Sequence, residues 1–166
     1  MQAIGRISTS TAVRPRQRRD EPAAATADFG ELLVGSLPLP RYPGLRFGLP
    51  AQGALERAWR ARRPDIVHIA TEGPLGWSAL AAARRLGLPA SSSFHTNFDS
   101  YSRHYGIGWL RGGIERYLRH FHNRSEVTLV PTQALAHRLA DAGFRNLMVM
   151  ARGVDTALFN PRRRSA

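Results

Sequence analysis

Between residues 93 and 106 the chain reads SFHTNFDSYSRHYG. A small-residue apolar run, PASSSF, stops on His95, and Thr96, Asn97, Asp99, Tyr101, Arg103, His104 and Tyr105 follow along one stretch. An imidazole can give or take a proton near neutral pH. Such a segment is either a packed, hydrogen-bonded corner or the rim of a site. Three other short apolar runs also end in groups that could do chemistry. DIVHIA is followed by Thr71-Glu72-Gly73-Pro74, EVTLV by Pro131-Thr132, and NLMVM by Arg152-Gly153-Val154-Asp155. No metal site is expected: His120 and His122 lie about 200° apart around a helix and cannot easily share an ion. His68 alternates within a strand and reads as a core histidine.

Those groups need elements to position them. A 3–4 spacing of Leu55, Ala58 and Trp59 predicts a helix over residues 51–62, closed by Pro64. A strand is expected over 65–70, an Ala-rich helix over 75–86 stopped by Gly87, and a strand over 89–94. Ile107, Leu110, Ile114, Tyr117, Leu118 and Phe121 share a predicted apolar stripe on a helix over 107–122. A strand over 126–130, a helix over 132–142 closed by Gly143 and a strand over 146–150 complete the alternation. Short apolar strands alternating with helices predict an α/β fold: a Rossmann-like parallel sheet with flanking helices. In such sheets ligands bind beyond the carboxyl ends of the strands, where all four polar segments fall.

The remainder is less regular. Residues 1–28 lack apolar periodicity and read as a disordered, atypical N-terminal segment, with a transit peptide as the alternative. Residues 29–50 hold four prolines and read as a short strand near 31–35 followed by an extended segment. The domain proper is placed at 29–151, and 152–166 reads as the start of a hinge with a basic tail. The net charge is +12, but Arg6, Arg14, Arg16, Arg18 and Arg19 supply +5 and Arg162, Arg163 and Arg164 supply +3. Charge concentrated in tails argues against a specific nucleic-acid face. All 24 basic residues are Arg, as a GC-rich coding bias would produce. The absence of Cys excludes disulfides and cysteine metal sites. No apolar run of membrane-spanning length occurs, and no apolar leader core is seen. A cytoplasmic location is expected.

The segments PDIVHIATEGPLGWSALAAARRLGLP, SFHTNFDSYSRHYG, HNRSEVTLVPTQALAHRLADAGF and ARGVDTALFNP occur in this order. Together they resemble the N-terminal domain of family 4 retaining glycosyltransferases, which have the two-domain GT-B fold. The subgroup in view is that of GDP-mannose-dependent α-mannosyltransferases and sulfoquinovosyl-type lipid glycosyltransferases. The resemblance runs over about residues 33–161. It implies a Rossmann-like, acceptor-side half of an enzyme that moves a hexose from a nucleotide-sugar, such as GDP-mannose, to a lipid, polyol or glycan. Protein cations rather than an obligatory metal would hold the diphosphate, and no cofactor is implied. His95 would lie beside the transferred sugar as the catalytic residue, with Thr96 at the pocket floor. Asp99, Tyr101, Arg103 and Glu72 would face the acceptor, and Arg152, Gly153 and Asp155 the donor or the hinge.

Two departures accompany the resemblance. Such enzymes open with a strand and a Gly-rich turn, whereas residues 1–30 contain only Gly5 and Gly30. The donor-binding domain is not part of these 166 residues, so the chain is expected to be truncated and inactive alone. The alternatives are a non-catalytic binding remnant, a half completed by a partner that supplies a C-terminal domain, or a basic nucleic-acid-binding protein. Arg111, Arg116, Arg119 and Arg124 flank the stripe of the 107–124 segment. A peripheral contact with the inner membrane face is therefore the second reading of that helix, beside core packing. Gly76 has both a backbone and a ligand reading.

Overall fold

The computed structural model describes residues 9–18, 22–26, 29–39, 44–95 and 111–151. The chain divides into two compact units, Met1–Pro89 and Ala90–Ala166. Both are α/β, with short strands and helices packed on them.

The first unit opens with β1 (Ser10–Pro15), which pairs in parallel with β2 (Phe29–Val34). This corrects the reading of that stretch as disordered and of the opening strand as missing. The strand was hidden because STAVRP carries only Ala12 and Val13 as apolar residues. Its register is held by charge: Arg14 Nε donates to Glu31 at 2.7 Å and Arg14 Nη2 at 3.0 Å, a two-pronged pair across the strands. The residues that follow β1 are Arg16, Gln17 and Arg18, so no Gly-rich turn follows it. The proline-rich segment is likewise not simply extended. β3 (Ser36–Pro38) and β4 (Arg46–Gly48) form an antiparallel pair. Gly44 approaches the second strand at φ +87°, a left-handed conformation that suits glycine.

Helix α1 (Gln52–Ala61) buries Leu55, Glu56 and Trp59. Strand β5 (Val67–Ile69) buries Val67 and Ile69 but exposes His68, so the expected core histidine is a surface one. Helix α2 (Pro74–Leu86) starts on Pro74, whose missing N–H would have had no helical partner. Gly87 ends it in the left-handed conformation at φ +60°, and Leu88 N then donates to the Ala83 carbonyl at 2.9 Å. Ser78 of α2 accepts from Ala51 N at 3.0 Å, tying the start of α1 to α2.

Glu56 brings a charge into the α1–α2 contact. Gln52 Nε2 donates to its Oε1 at 2.9 Å, Arg60 Nη2 lies 3.2 Å from Oε2, and Arg85 Nη1 lies 3.8 Å from Oε1. The Gln52 hydrogen bond, then the Arg85 and Arg60 charges, hold its carboxyl below the usual carboxylate range, against an opposing push from desolvation. A carboxyl depressed in the folded state stabilises fully above its unfolded value, and that contribution fades as pH falls through the folded one. Glu56→Gln is therefore expected to lower the urea midpoint at pH 7. Wild type and variant should converge as the acid limb is descended. A constant gap from pH 7 to pH 3 would show that the ionised form contributes nothing.

In the second unit β6 (Ala90–Ser93), β7 (Val127–Val130) and β8 (Leu147–Val149) are parallel and adjacent in that order. Helix α3 (Arg111–His122) joins β6 to β7, and α4 (Gln133–Asp141) joins β7 to β8. Thr132 caps α4, its hydroxyl accepting from Leu135 N at 3.2 Å. Phe94, Leu118, Val130, Ala136, Leu139 and Phe144 form the core. Leu118 and Phe121 are buried as the stripe predicts, but Ile114 and Tyr117 stand 39% and 43% exposed. Ile107 and Leu110 lie outside the described residues.

Candidate active site at the strand ends

Because β6, β7 and β8 run in parallel, their carboxyl ends share one edge. Phe94 N donates to the Leu129 carbonyl and Met150 N to the Val130 carbonyl, both at 2.9 Å, so the ladder extends one residue past β6 and past β8. His95 is the first residue beyond it on β6 and is exposed. Pro131 and Thr132 follow β7 on the same edge, and Ala151 follows β8.

His95 projects from a fixed point. Phe94 beside it is fully buried, with its ring 5.2 Å from the His122 ring and 5.7 Å, edge-on, from Phe144. Ser92 Oγ lies 2.9 Å from His122 Nδ1 and 3.2 Å from Thr128 Oγ1, and Thr128 Oγ1 donates to the His122 carbonyl at 3.4 Å. The three contacts hold together in one sense of donation. Thr128 gives its proton to the carbonyl, Ser92 gives its own to Thr128, and His122 Nδ1–H donates to Ser92. A hydroxyl beside an imidazole resembles a nucleophile and its base. Ser92 and His122 are both wholly buried, however, and no substrate can touch them. Their role is to brace the strand that carries His95. His122 was legible only as a helix residue, because its burial depends on where β6 and β7 pass.

Glu72 follows β5 in the first unit and is half-buried. Gly76 has a backbone reason: a Cβ there would overlap the Thr71 carbonyl oxygen and meet Ile69 Cγ2 at 3.2 Å. The carboxyl end of β2 opens on a groove of about 510 Å³ between Leu32–Gly35 and Pro50–Ala54, with Arg57 at its side. That groove had no signature in the sequence, since it forms between a strand and a helix separated by the β3–β4 hairpin. Thr96, Asp99, Tyr101, Arg103, Arg152, Gly153 and Asp155 lie outside the described residues. Among the described residues no helix is long and apolar enough to cross a membrane.

Known proteins are similar to this chain over most of its length. A GDP-mannose-dependent alpha-mannosyltransferase of Mycobacterium tuberculosis is 35% identical over 132 residues, covering 80% of this chain and 35% of the relative. Sulfoquinovosyl transferase SQD2 of Arabidopsis thaliana is 32% identical over 142 residues, covering 82% of this chain and 28% of the relative. A GDP-mannose-dependent alpha-mannosyltransferase of Mycolicibacterium smegmatis is 30% identical over 151 residues, covering 90% of this chain and 40% of the relative. The chain thus spans between 28% and 40% of the length of these relatives. The model of glycosyltransferase family 4 matches residues 11–158, starting inside β1 and therefore including the strand that composition had hidden. A Rossmann-like α/β chain with parallel strands, matched over nearly all of its length, belongs to glycosyltransferase family 4.

Proposed function

We propose that the chain is the acceptor-side half of a hexosyltransferase that moves a hexosyl group, mannosyl in the first instance, from a nucleotide-sugar to a lipid, polyol or glycan. The supporting observation is His95, exposed at the carboxyl end of a buried and braced strand in a family 4 chain. In the transfer the bond from the anomeric carbon to the diphosphate oxygen breaks and a bond to the acceptor oxygen forms. The nucleoside diphosphate leaves, and the acceptor hydroxyl gives up a proton. His95 hydrogen-bonds a sugar hydroxyl or receives that proton. Thr96 lies at the pocket floor, and Asp99, Tyr101, Arg103 and Glu72 contact the acceptor. Tyr offers a flat apolar face to a sugar ring and Arg a two-pronged grip on phosphate or hydroxyls. Arg152, Gly153 and Asp155 serve the donor diphosphate or the hinge. The donor, GDP-mannose or a similar nucleotide-sugar, is a substrate, and no metal or cofactor is assigned to the step.

The test joins this chain, in one polypeptide or in trans, to a family 4 donor-binding half and follows transfer from labelled GDP-mannose. His95→Ala is expected to lower kcat about 100-fold, the lower end of acid–base contributions, with an unchanged melting curve. Full turnover by that variant would remove His95 from the reaction. The 166-residue chain, which spans 28% to 40% of the length of these relatives, is expected to transfer feebly or not at all by itself. Two further readings concern partners. Met148 and Val149 on β8 and Met150 just past it are 56%, 40% and 55% exposed, as suits a strand covered by a partner that supplies the donor half. Exposed Ile114 and Tyr117 beside Arg116 suit a peripheral contact of α3 with an anionic inner membrane face.

A further inference from the structure

We propose that the C-terminal half of α3 forms a binding site for a phosphate-type oxyanion, at the end of the second unit opposite His95. A cleft of about 320 Å³ is walled there by Arg116, Arg119, His120, Asn123 and Arg124. Three guanidinium groups stand within nine residues of each other. Glu115, 3.8 Å from Arg119 Nη1, is the acidic partner seen there among the described residues.

Part of this charge serves the helix. Arg119 Nη1 donates to the Ala142 carbonyl at 2.7 Å and Arg124 Nη1 to the His120 carbonyl at 3.0 Å. Cations at a helix C-terminus offset its negative end, but that effect dies out within the last turn. Arg116 lies beyond that turn and is exposed, so end-capping does not account for it. Like charges one turn apart cost a helix a few tenths of a kcal/mol. A doubly charged oxyanion between them would reverse that cost.

The wall is built before any ligand arrives. Asn123 Nδ2 donates to the Gly143 carbonyl at 3.0 Å, and its Oδ1 accepts from Arg145 N at 2.8 Å. Arg119 lies against Gly143, where a Cβ would meet its Cδ at 3.3 Å. Side chains already fixed by the backbone lose little freedom on binding. Guanidinium groups match the geometry of phosphate oxygens with two donors each.

The position separates this site from the transfer chemistry. Glu126 N donates to the Ala90 carbonyl at 2.8 Å, so β6 and β7 begin side by side, and Asn123 and Arg124 come shortly before that point, separated from it by Ser125. The cleft therefore lies at the amino edge of the strands, while His95 lies at the carboxyl edge. Its ligand is a second anion, either a free phosphate compound or the headgroup of an anionic lipid.

The experiment uses the full 166-residue chain. Inorganic pyrophosphate is titrated by calorimetry, and phosphatidylglycerol vesicles are tested separately by flotation. Arg116→Glu is compared with Arg62→Glu, an equal charge change at an exposed position of α1's C-terminal end. Arg116→Glu is expected to weaken binding at least tenfold and Arg62→Glu less than twofold. Arg116→Gln, with an expected three- to fivefold loss, carries the test if the charge reversal disturbs folding. Pyrophosphate binding with this pattern identifies a free phosphate ligand. Vesicle binding alone, with the same pattern, identifies a lipid headgroup. Equal losses in the two reversals mean binding to net charge alone and overturn the site, as does binding of neither probe.

Discussion

His122→Ala is expected to cost about 3–4 kcal/mol of folding free energy, the range for truncating a buried ring. The ring is wholly buried and packed among Phe94 at 5.2 Å, Phe121 at 5.2 Å and Phe144 at 6.1 Å. Truncation removes those contacts, opens a void that a close-packed interior fills only in part, and strips Ser92 of its partner at 2.9 Å. His122→Phe separates the two losses. It keeps the ring and gives up the hydrogen bond, so it should cost only about 1–2 kcal/mol. Urea unfolding of both variants, followed by tryptophan fluorescence, gives the comparison. Two midpoints at the wild-type value would show that the ring braces nothing. The link to function runs through Phe94, which rests on His122 and precedes His95. The alanine variant of the joined enzyme should therefore lose turnover as well as stability, although His122 itself is out of reach of any substrate.

The same residue shows where sequence and structure part. The alternation of apolar strands with helices was legible because βαβ units impose two different periods on the chain, and each predicted strand and helix from 51 to 150 recurs among the described residues. Thr132 and Gly87 were legible as boundaries because a cap hydroxyl and a left-handed glycine act locally. What stayed hidden depends on partners distant in the chain. β1 is a strand through its pairing with β2, where Arg14 meets Glu31 seventeen residues on, and its own residues are barely apolar. His68, expected in the core, alternates outward from β5, and His122, legible only as a helix residue, turns inward to meet Ser92. Ile114 and Tyr117 fit a helical stripe yet remain exposed, since periodicity states which residues share a face and not how much of it is covered. Of the candidate site, His95 and the edge it occupies followed from fold-level reasoning. The brace beneath it did not.

Gly76→Ala is expected to destabilise the chain by about 3 kcal/mol, at the upper end of the cost of overpacking. Helix propensity alone gives the opposite sign, because alanine in place of an interior helical glycine is worth about 1 kcal/mol. The sign is decided by what the new methyl meets. It would overlap the Thr71 carbonyl oxygen and press on Ile69 Cγ2 at 3.2 Å, and a backbone oxygen cannot swing aside as a side-chain tip can. Retreat of α2 is also opposed. Trp77 N donates to the Gly73 carbonyl at 3.0 Å, Ser78 Oγ donates to the Pro74 carbonyl at 3.0 Å, and the same Oγ holds Ala51 N of the α1 entry. Two other glycines calibrate the effect. A Cβ at Gly73 meets nothing within 4 Å, so Gly73→Ala should be close to neutral. At Gly48 it meets Leu75 Cβ and Cδ2 at 2.8 Å, partly flexible side chain, so Gly48→Ala should fall between. Urea midpoints in the order Gly73→Ala, Gly48→Ala, Gly76→Ala, from highest to lowest, are the expected result. A Gly76→Ala variant more stable than wild type would mean that the β5–α2 turn yields without cost.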